Sequence, residues 1–144
     1  MKAVYFETSA LLAWLLGEPG AGAVKRIVDD AETVVTSVLT LLEAERALVR
    51  AEAADFLSSG DAEKLRGLLA RSKASWILME ITGDVRDRAK RYFPAEPIRT
   101  LDAIHLATAL VFLQAFPSLE LLSNDRRILN NAVALGITAI PAAR

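Results

Sequence analysis

The sequence contains no cysteine and a single histidine among its 144 residues. The lack of cysteine excludes disulfides, thiolate nucleophiles and sulfur-ligated zinc, so any chemistry must use oxygen and nitrogen groups. No run reaches the roughly 18 consecutive apolar residues that a membrane span needs, and the first residues lack the pattern of a secretory signal. These absences predict a cytoplasmic protein that does not associate with a membrane.

The composition is that of a well-packed globular protein without a strong overall charge. Hydrophobic residues make up 53% and charged residues 24% of the chain, which excludes disorder. The net charge of −1 gives no general attraction to nucleic acid, so a nucleic-acid partner would need a local basic patch. The length is typical of one domain, which we expect to span residues 1–144.

Short apolar runs alternate with longer helical segments along the whole chain. The predicted strands are 3–6, 33–36, 76–80, 119–123 and 138–140. The predicted helices are 9–16, 21–30, 40–57, a segment capped by Asp61 and ending near Arg71, 82–92 with Thr82 as its cap, a segment from about Leu101, and a last one ending near Gly136.

This alternation predicts an α/β fold, a three-layer α/β/α sandwich around a mostly parallel five-stranded sheet. Right-handed crossovers place the carboxyl ends of the strands at one edge of such a sheet, where ligands bind. Residues that follow the predicted strands are therefore the first candidates for a functional site.

Four acidic residues lie just past a strand or in the first turn of a helix: Glu7, Glu43, Asp102 and Asp125. Three have structural explanations, because Glu43 completes a capping box with Thr40, Asp125 could be a plain N-cap, and a helix dipole favours Asp102 in a first turn. Glu7 is not a preferred capping residue, and a carboxylate after a central strand loses hydration unless a cation or donors compensate.

If the four acids meet at the carboxyl edge of the sheet, their repulsion would require protonation or a cation. A cluster made only of oxygen ligands favours Mg²⁺ or Mn²⁺. Carboxylates that hold such cations are the arrangement used for attack of water on a phosphodiester, and no nucleophilic side chain is then needed.

Four segments resemble the PIN-domain family, and in particular the VapC-type toxins of toxin–antitoxin pairs. They are "VYFETSALL", "LTLLEAERAL", "LDAIHLATAL" and "LLSNDRRIL", which together extend over nearly the whole chain. The third is the most specific and the fourth is weak alone.

The resemblance implies a metal-dependent endoribonuclease whose metal-site acids are Glu43, Asp102 and Asp125, with Glu7 at the first acidic position. It also implies that Ser9 and Ser123 orient a carboxylate or a water. The chain departs from the family at Glu7, where the family has aspartate. The extra methylene shifts the carboxylate, and Mg²⁺ sites tolerate little displacement from octahedral geometry.

The resemblance further implies an RNA substrate, an antitoxin partner whose segment lies in an apolar groove between helices, and a homodimer. Two hypotheses follow for the function. The first is a working Mg²⁺- or Mn²⁺-dependent ribonuclease, and the second is a PIN fold that Glu7 has left catalytically poor and that acts by binding an antitoxin or RNA.

Two further features have a structural and a functional interpretation. His105, three residues after Asp102, could contact substrate, but an interior histidine bonded to a backbone group is favoured. Arg126 and Arg127 adjoin Asp125 and could reach a phosphate. The other basic side chains that could do so, or could simply be solvated or paired, are Arg46, Arg50, Arg86, Arg88, Lys90, Arg91 and Arg99.

Overall fold

The structure, a computed structural model, describes residues 2–142. Within this range the strands are β1 (Ala3–Phe6), β2 (Thr33–Ser37), β3 (Ile77–Met79), β4 (Glu120–Ser123) and β5 (Thr138–Pro141). The helices are α1 (Thr8–Leu15), α2 (Ala21–Asp30), α3 (Val38–Ala53), α4 (Ser59–Lys73), α5 (Gly83–Ala89), α6 (Thr100–Ala115) and α7 (Arg126–Ala134). Every predicted strand is present, with ends that differ by at most one residue.

The strands form one sheet in the order β3-β2-β1-β4-β5, and every neighbouring pair is parallel. The fold class is therefore as predicted, with an entirely parallel sheet. Strand β1 lies in the middle, with Val4 opposite Val34 on one side and Glu120 on the other. All of β1 is buried, as expected for a central parallel strand covered on both faces.

Successive side chains of the strands pack alternately into two separate hydrophobic clusters. Tyr5 and Leu121 join the cluster formed with α5, α6 and α7, whereas Phe6 and Leu122 join the one formed with α1 to α4. This division follows from the period of two in a strand. Helices thus cover both faces of the sheet, and each fully buried leucine contributes roughly 2 kcal/mol through loss of apolar surface from water.

Helix α3 begins at Val38 because Ser37, the last residue of β2, caps it. The Ser37 hydroxyl accepts a hydrogen bond from the Leu39 N–H at 3.0 Å. The predicted capping box of Thr40 and Glu43 is therefore wrong, since the Thr40 hydroxyl instead accepts from Thr36 at 2.7 Å inside the protein. The helix also ends at Ala53, before the predicted residue 57.

Other helix ends differ from the predictions for similar local reasons. Ser58, and not Asp61, caps α4, because its hydroxyl accepts the Asp61 N–H at 3.0 Å. Thr82 caps α5 as predicted, but that helix stops at Ala89. After α7, Gly136 takes a φ of 84°, the left-handed conformation common just past a helix. None of the helices within residues 2–142 is long and apolar enough to span a membrane.

Candidate active site

Glu7 lies at the junction of β1 and α1 and acts as the N-cap of α1. Its Oε2 accepts the Ser9 N–H at 3.1 Å, and its Oε1 accepts the hydroxyls of Ser9 and Ser123, each at 2.5 Å. Glu7 is only 4% exposed. Three donors thus compensate its carboxylate, and Glu7 caps α1 although glutamate is not a preferred capping residue.

The two serines join the carboxyl ends of β1 and β4. The Ser9 hydroxyl accepts the Asn124 N–H at 2.7 Å, and the Ser123 hydroxyl accepts the Asp125 N–H at 2.9 Å. The Glu7 N–H reinforces this junction by donating to the Leu122 carbonyl at 3.1 Å. Through the serines, the buried carboxylate of Glu7 fixes the backbone that carries Asp125.

Glu43 projects from α3 into a second hydrogen-bonded cluster. Its Oε1 lies 2.6 Å from the Thr8 hydroxyl, which donates to it, and 2.6 Å from His105 Nε2. Burial raises the pKa of Glu43, but hydrogen bonds from His105 and Thr8 outweigh it, so the pKa lies below its ordinary value. Glu43 is therefore ionised at neutral pH.

His105 is buried, with 1% of its surface exposed, so the expectation of an interior histidine is correct. The expected bond to a backbone group is wrong. Its Nδ1 lies 2.9 Å from the Tyr5 hydroxyl, and its Nε2 contacts Glu43. Sequence reasoning missed Tyr5 and Thr8 as members of this cluster, because a tyrosine in a buried strand and a threonine in a first helical turn carry no sequence signal of a polar site.

Asp102 lies in the first turn of α6, partly buried. Burial raises its pKa, and so do the negative charges of Asp125, Glu7 and Glu43. The tertiary structure thus brings the four acids near enough to repel one another. The helix dipole of α6 offsets part of that repulsion.

Asp125 is the N-cap of α7, as its structural interpretation proposed. Its Oδ1 accepts the N–H groups of Arg127 and Ile128 at 2.9 and 3.2 Å. The same residue lines an open depression at the carboxyl edge of the sheet, so capping and a role in the site are compatible. Both capping hydrogen bonds use Oδ1, and neither uses Oδ2.

The acidic cleft is an open depression of about 830 Å³ at the carboxyl edge of the sheet. The acids that line it are Glu43, Asp102 and Asp125, and the basic residues are Arg99, Arg126 and Arg127. Glu7 is not part of this lining. The structure therefore brings three of the four predicted acids to one surface and places the fourth behind it, bonded to Ser9 and Ser123.

The acids in the cleft fit a hard divalent cation by their chemistry but do not form a complete cage. Within residues 2–142, no group of three or more acidic or histidine side chains is arranged to hold a metal ion. Mg²⁺ commonly binds through one or two carboxylates, with waters and substrate phosphates as its other ligands. The raised pKa of Asp102 identifies the cleft as a place where a cation would relieve repulsion. Assignment of all four acids as metal ligands remains a prediction.

Comparison with known proteins shows the family to which the chain is related. A family model described as the PIN domain matches residues 4–134. The chain is 33% identical over 139 residues to a protein named ribonuclease VapC35 from Mycobacterium tuberculosis, with 95% of each chain covered. It is 35% identical over 109 residues to ribonuclease VapC46 of the same organism, covering 76% of this chain and 75% of that one.

Solved structures show the same fold. The structure of Mycobacterium tuberculosis VapC20, described as a sarcin–ricin loop cleaving toxin, aligns with a TM-score of 0.67 at 18% identity, covering 96% of this chain and 98% of that one. The extent of the family match and the identity to VapC35 place the chain in its family: it belongs to the PIN-domain family, among relatives named VapC ribonucleases.

Proposed function

We propose that the chain is an endoribonuclease of the VapC type, the toxin of a toxin–antitoxin pair, and that Mg²⁺ or Mn²⁺ supports its reaction. The observation that carries the proposal is the acidic cleft, where Glu43, Asp102 and Asp125 lie together beside three arginines. The relative named ribonuclease VapC35 matches this chain over 95% of its length. Such a pair would act in the cytoplasm.

Asp102 and Asp125 are the residues that would hold the cation, since Asp125 contributes the largest charge effect on Asp102. When bound, the metal supplies a water of lowered pKa and positive charge beside the phosphate. Glu43, ionised and exposed to the same cleft, would complete the acidic surface. Glu7, whose Oε1 accepts two hydroxyls, would hold the Ser123–Asp125 segment in place.

The arginines of the cleft would bind the RNA backbone. Arg99, Arg126 and Arg127 line it, and none forms an ion pair within residues 2–142. Guanidinium groups bind phosphate oxygens through two parallel hydrogen bonds. Attack of water on a phosphodiester held there would leave a 5′-phosphate on one product and a 3′-hydroxyl on the other.

The antitoxin would bind a separate cavity of about 410 Å³ between α1, α2 and α4. Its apolar part includes Phe6, Trp14 and Trp76, and Lys25 and Arg71 are among its charged lining residues. A solved structure that aligns with a TM-score of 0.64 is described as a toxin–antitoxin complex from Klebsiella pneumoniae. An apolar antitoxin segment would suit the aromatic part of this surface.

A homodimer is also part of the proposal. Helix α3 exposes Leu42 at 61% and Val49 at 40%, and Phe56, just after the helix, is 84% exposed. Large apolar side chains grouped on a surface are typical of association sites.

The proposal is tested by cleavage of total RNA by the purified protein with Mn²⁺, with Mg²⁺ and with EDTA. Asp102→Asn is the inactive variant, and Asp61→Asn, which also changes an acid in a first helical turn, is the matched control. We expect metal-dependent cleavage by the wild type and the control, with little by Asp102→Asn. Full metal-dependent cleavage by Asp102→Asn would refute the assignment.

Glu7→Asp separates an efficient nuclease from one that Glu7 impairs. The shorter side chain would retract the carboxylate from Ser123, which now donates to it at 2.5 Å. A large gain in cleavage by this variant would mean that the wild-type site is geometrically impaired. No cleavage by either protein in any metal would leave only a binding role for the chain.

A further inference from the structure

His105, the single histidine of the chain, is part of a buried chain of hydrogen bonds that ends at the acidic cleft. It lies on α6 and packs against β1, where Tyr5 meets its ring edge-to-face with centroids 6.1 Å apart. A buried imidazole without partners would cost free energy. Here both ring nitrogens have a partner, so the position of each proton can be assigned from the chemistry of those partners.

Nε2 lies 2.6 Å from Glu43 Oε1 and 3.2 Å from the Thr8 hydroxyl. The one proton of the Thr8 hydroxyl is donated to Glu43, and a carboxylate has no proton to donate, so both partners can only accept from Nε2. The Nε2–Oε1 distance of 2.6 Å therefore corresponds to an N–H that donates to Glu43. Nε2 carries a proton.

The partner of Nδ1 is the Tyr5 hydroxyl, which carries a proton that it can donate. That hydroxyl lies 2.9 Å from Nδ1 and can donate to it. With Nε2 as the donor to Glu43, Nδ1 accepts from Tyr5, and the order of donation runs from Tyr5 to His105 to Glu43.

Only one oxygen of Glu43 is bound by this cluster. Oε1 accepts from both His105 and Thr8, each at 2.6 Å. Oε2 makes no hydrogen bond within residues 2–142, and Glu43 lines the acidic cleft. A free glutamate side chain has several rotatable bonds, so two donors on one oxygen fix which oxygen remains available to a ligand.

We propose that Tyr5 and His105 are positioning residues that hold the Glu43 carboxylate with Oε1 turned inward and Oε2 available to the cleft. The inference deepens the proposed function and rests on it for the use made of Oε2. The hydrogen-bond order itself is a property of the folded chain alone. The two parts can therefore fail separately.

The hydrogen-bond order is tested by ¹⁵N NMR of protein labelled in histidine, which gives one imidazole spectrum because the chain has one histidine. We expect a protonated Nε2 and an unprotonated Nδ1. Tyr5→Phe removes the donor to Nδ1 and should shift that resonance and admit the other tautomer. Tyr92→Phe changes the only other tyrosine, which is 90% exposed, and should leave the spectrum unchanged.

The positioning role is tested by titration of each protein with Mn²⁺ alone, followed by electron paramagnetic resonance of the free ion. Loss of the hydrogen-bond partner of a ligating carboxylate typically lowers metal affinity ~10-fold or more, and we expect about that change in His105→Leu, because His105 bonds to Glu43 directly. Tyr5→Phe, which acts on Glu43 only through His105, should weaken binding by a smaller factor. His105→Gln, which keeps an N–H donor, should recover part of the loss.

The outcomes are distinct. A proton on Nδ1 in the wild type, or an imidazole spectrum that Tyr5→Phe leaves unchanged, would overturn the hydrogen-bond order whatever the RNA assay shows. Equal Mn²⁺ affinity in the wild type, Tyr5→Phe and His105→Leu would overturn the positioning role. The expected spectrum together with a wild type that neither binds Mn²⁺ nor cleaves RNA would overturn the proposed function and, with it, the use of Oε2.

Discussion

Replacing Asp102 by asparagine should stabilise the protein in the absence of divalent cations and remove most of its stabilisation by them. Burial and the charges of Asp125, Glu7 and Glu43 raise the pKa of Asp102, so its ionised form is disfavoured in the folded state. Asparagine has nearly the same size and carries no charge. The substitution therefore relieves repulsion without opening a cavity.

The magnitude follows from opposing effects. Each like-charge neighbour at partly exposed positions costs ~0.2–0.5 kcal/mol, and partial burial adds to that cost. Loss of the favourable interaction with the dipole of α6 removes roughly 0.5 kcal/mol of the gain. The net stabilisation should be about 1 kcal/mol, which corresponds to a rise in Tm of about 3 °C for a chain of this size.

The pH dependence has a definite sign. Because the folded pKa of Asp102 is raised, the stability of the wild type falls as pH rises from the ordinary pKa of 3.8 through the higher folded value. Below that window the carboxyl is protonated in both states and its penalty disappears. The advantage of Asp102→Asn should therefore be present at pH 7 and vanish near pH 3.

The assay is thermal unfolding followed by circular dichroism, in EDTA and in Mn²⁺. A cation at 100 times its Kd stabilises by about 2.7 kcal/mol, so the wild type should become the more stable protein in Mn²⁺. Asp61→Asn is the control, an exposed acid in the first turn of α4. A lower Tm for Asp102→Asn in EDTA, or an equal response of both proteins to Mn²⁺, would refute the reasoning.

Three other substitutions test separate features. Glu43→Gln should reduce the loss of stability that the wild type shows as pH falls from 4.5 through the lowered folded pKa of Glu43. The measurement is the free energy of unfolding in urea at pH 6 and at pH 4. An equal difference between the two pH values in both proteins would contradict this. Ser37→Ala should lose about 1 kcal/mol with the cap of α3, and no change in the urea midpoint would refute the cap. Leu122→Ala, fully buried in the core, should lose ~2–5 kcal/mol by the same measurement; a smaller loss would mean that the core closes around the cavity.

The sequence determined the class of the fold, because strand and helix patterns depend on local spacing. Five apolar runs separated by helices predicted a mostly parallel sheet, and the strand ends agree within one residue. Local polar patterns were less decisive at helix ends. Ser37 and Ser58 are capping residues by type, but several candidates lie within one turn of each, and only backbone conformation selects among them.

The sequence also named the acids and predicted that they converge, because the carboxyl ends of parallel strands share an edge. It could not show which of the acids line the cleft and which lie behind it. Only the tertiary structure placed Asp102 in an open cleft and Glu7 behind it, bonded to Ser123, a residue 116 positions along the chain.

The contacts that set the chemistry of this site join residues far apart in sequence. Tyr5 and His105 are 100 positions apart, and His105 and Glu43 are 62 apart. Residue type and local spacing give each side chain its charge and its helix or strand. Which donor meets which carboxylate, and so which acid is compensated and which is left with excess charge, depends on desolvation and distance that only the packed structure provides.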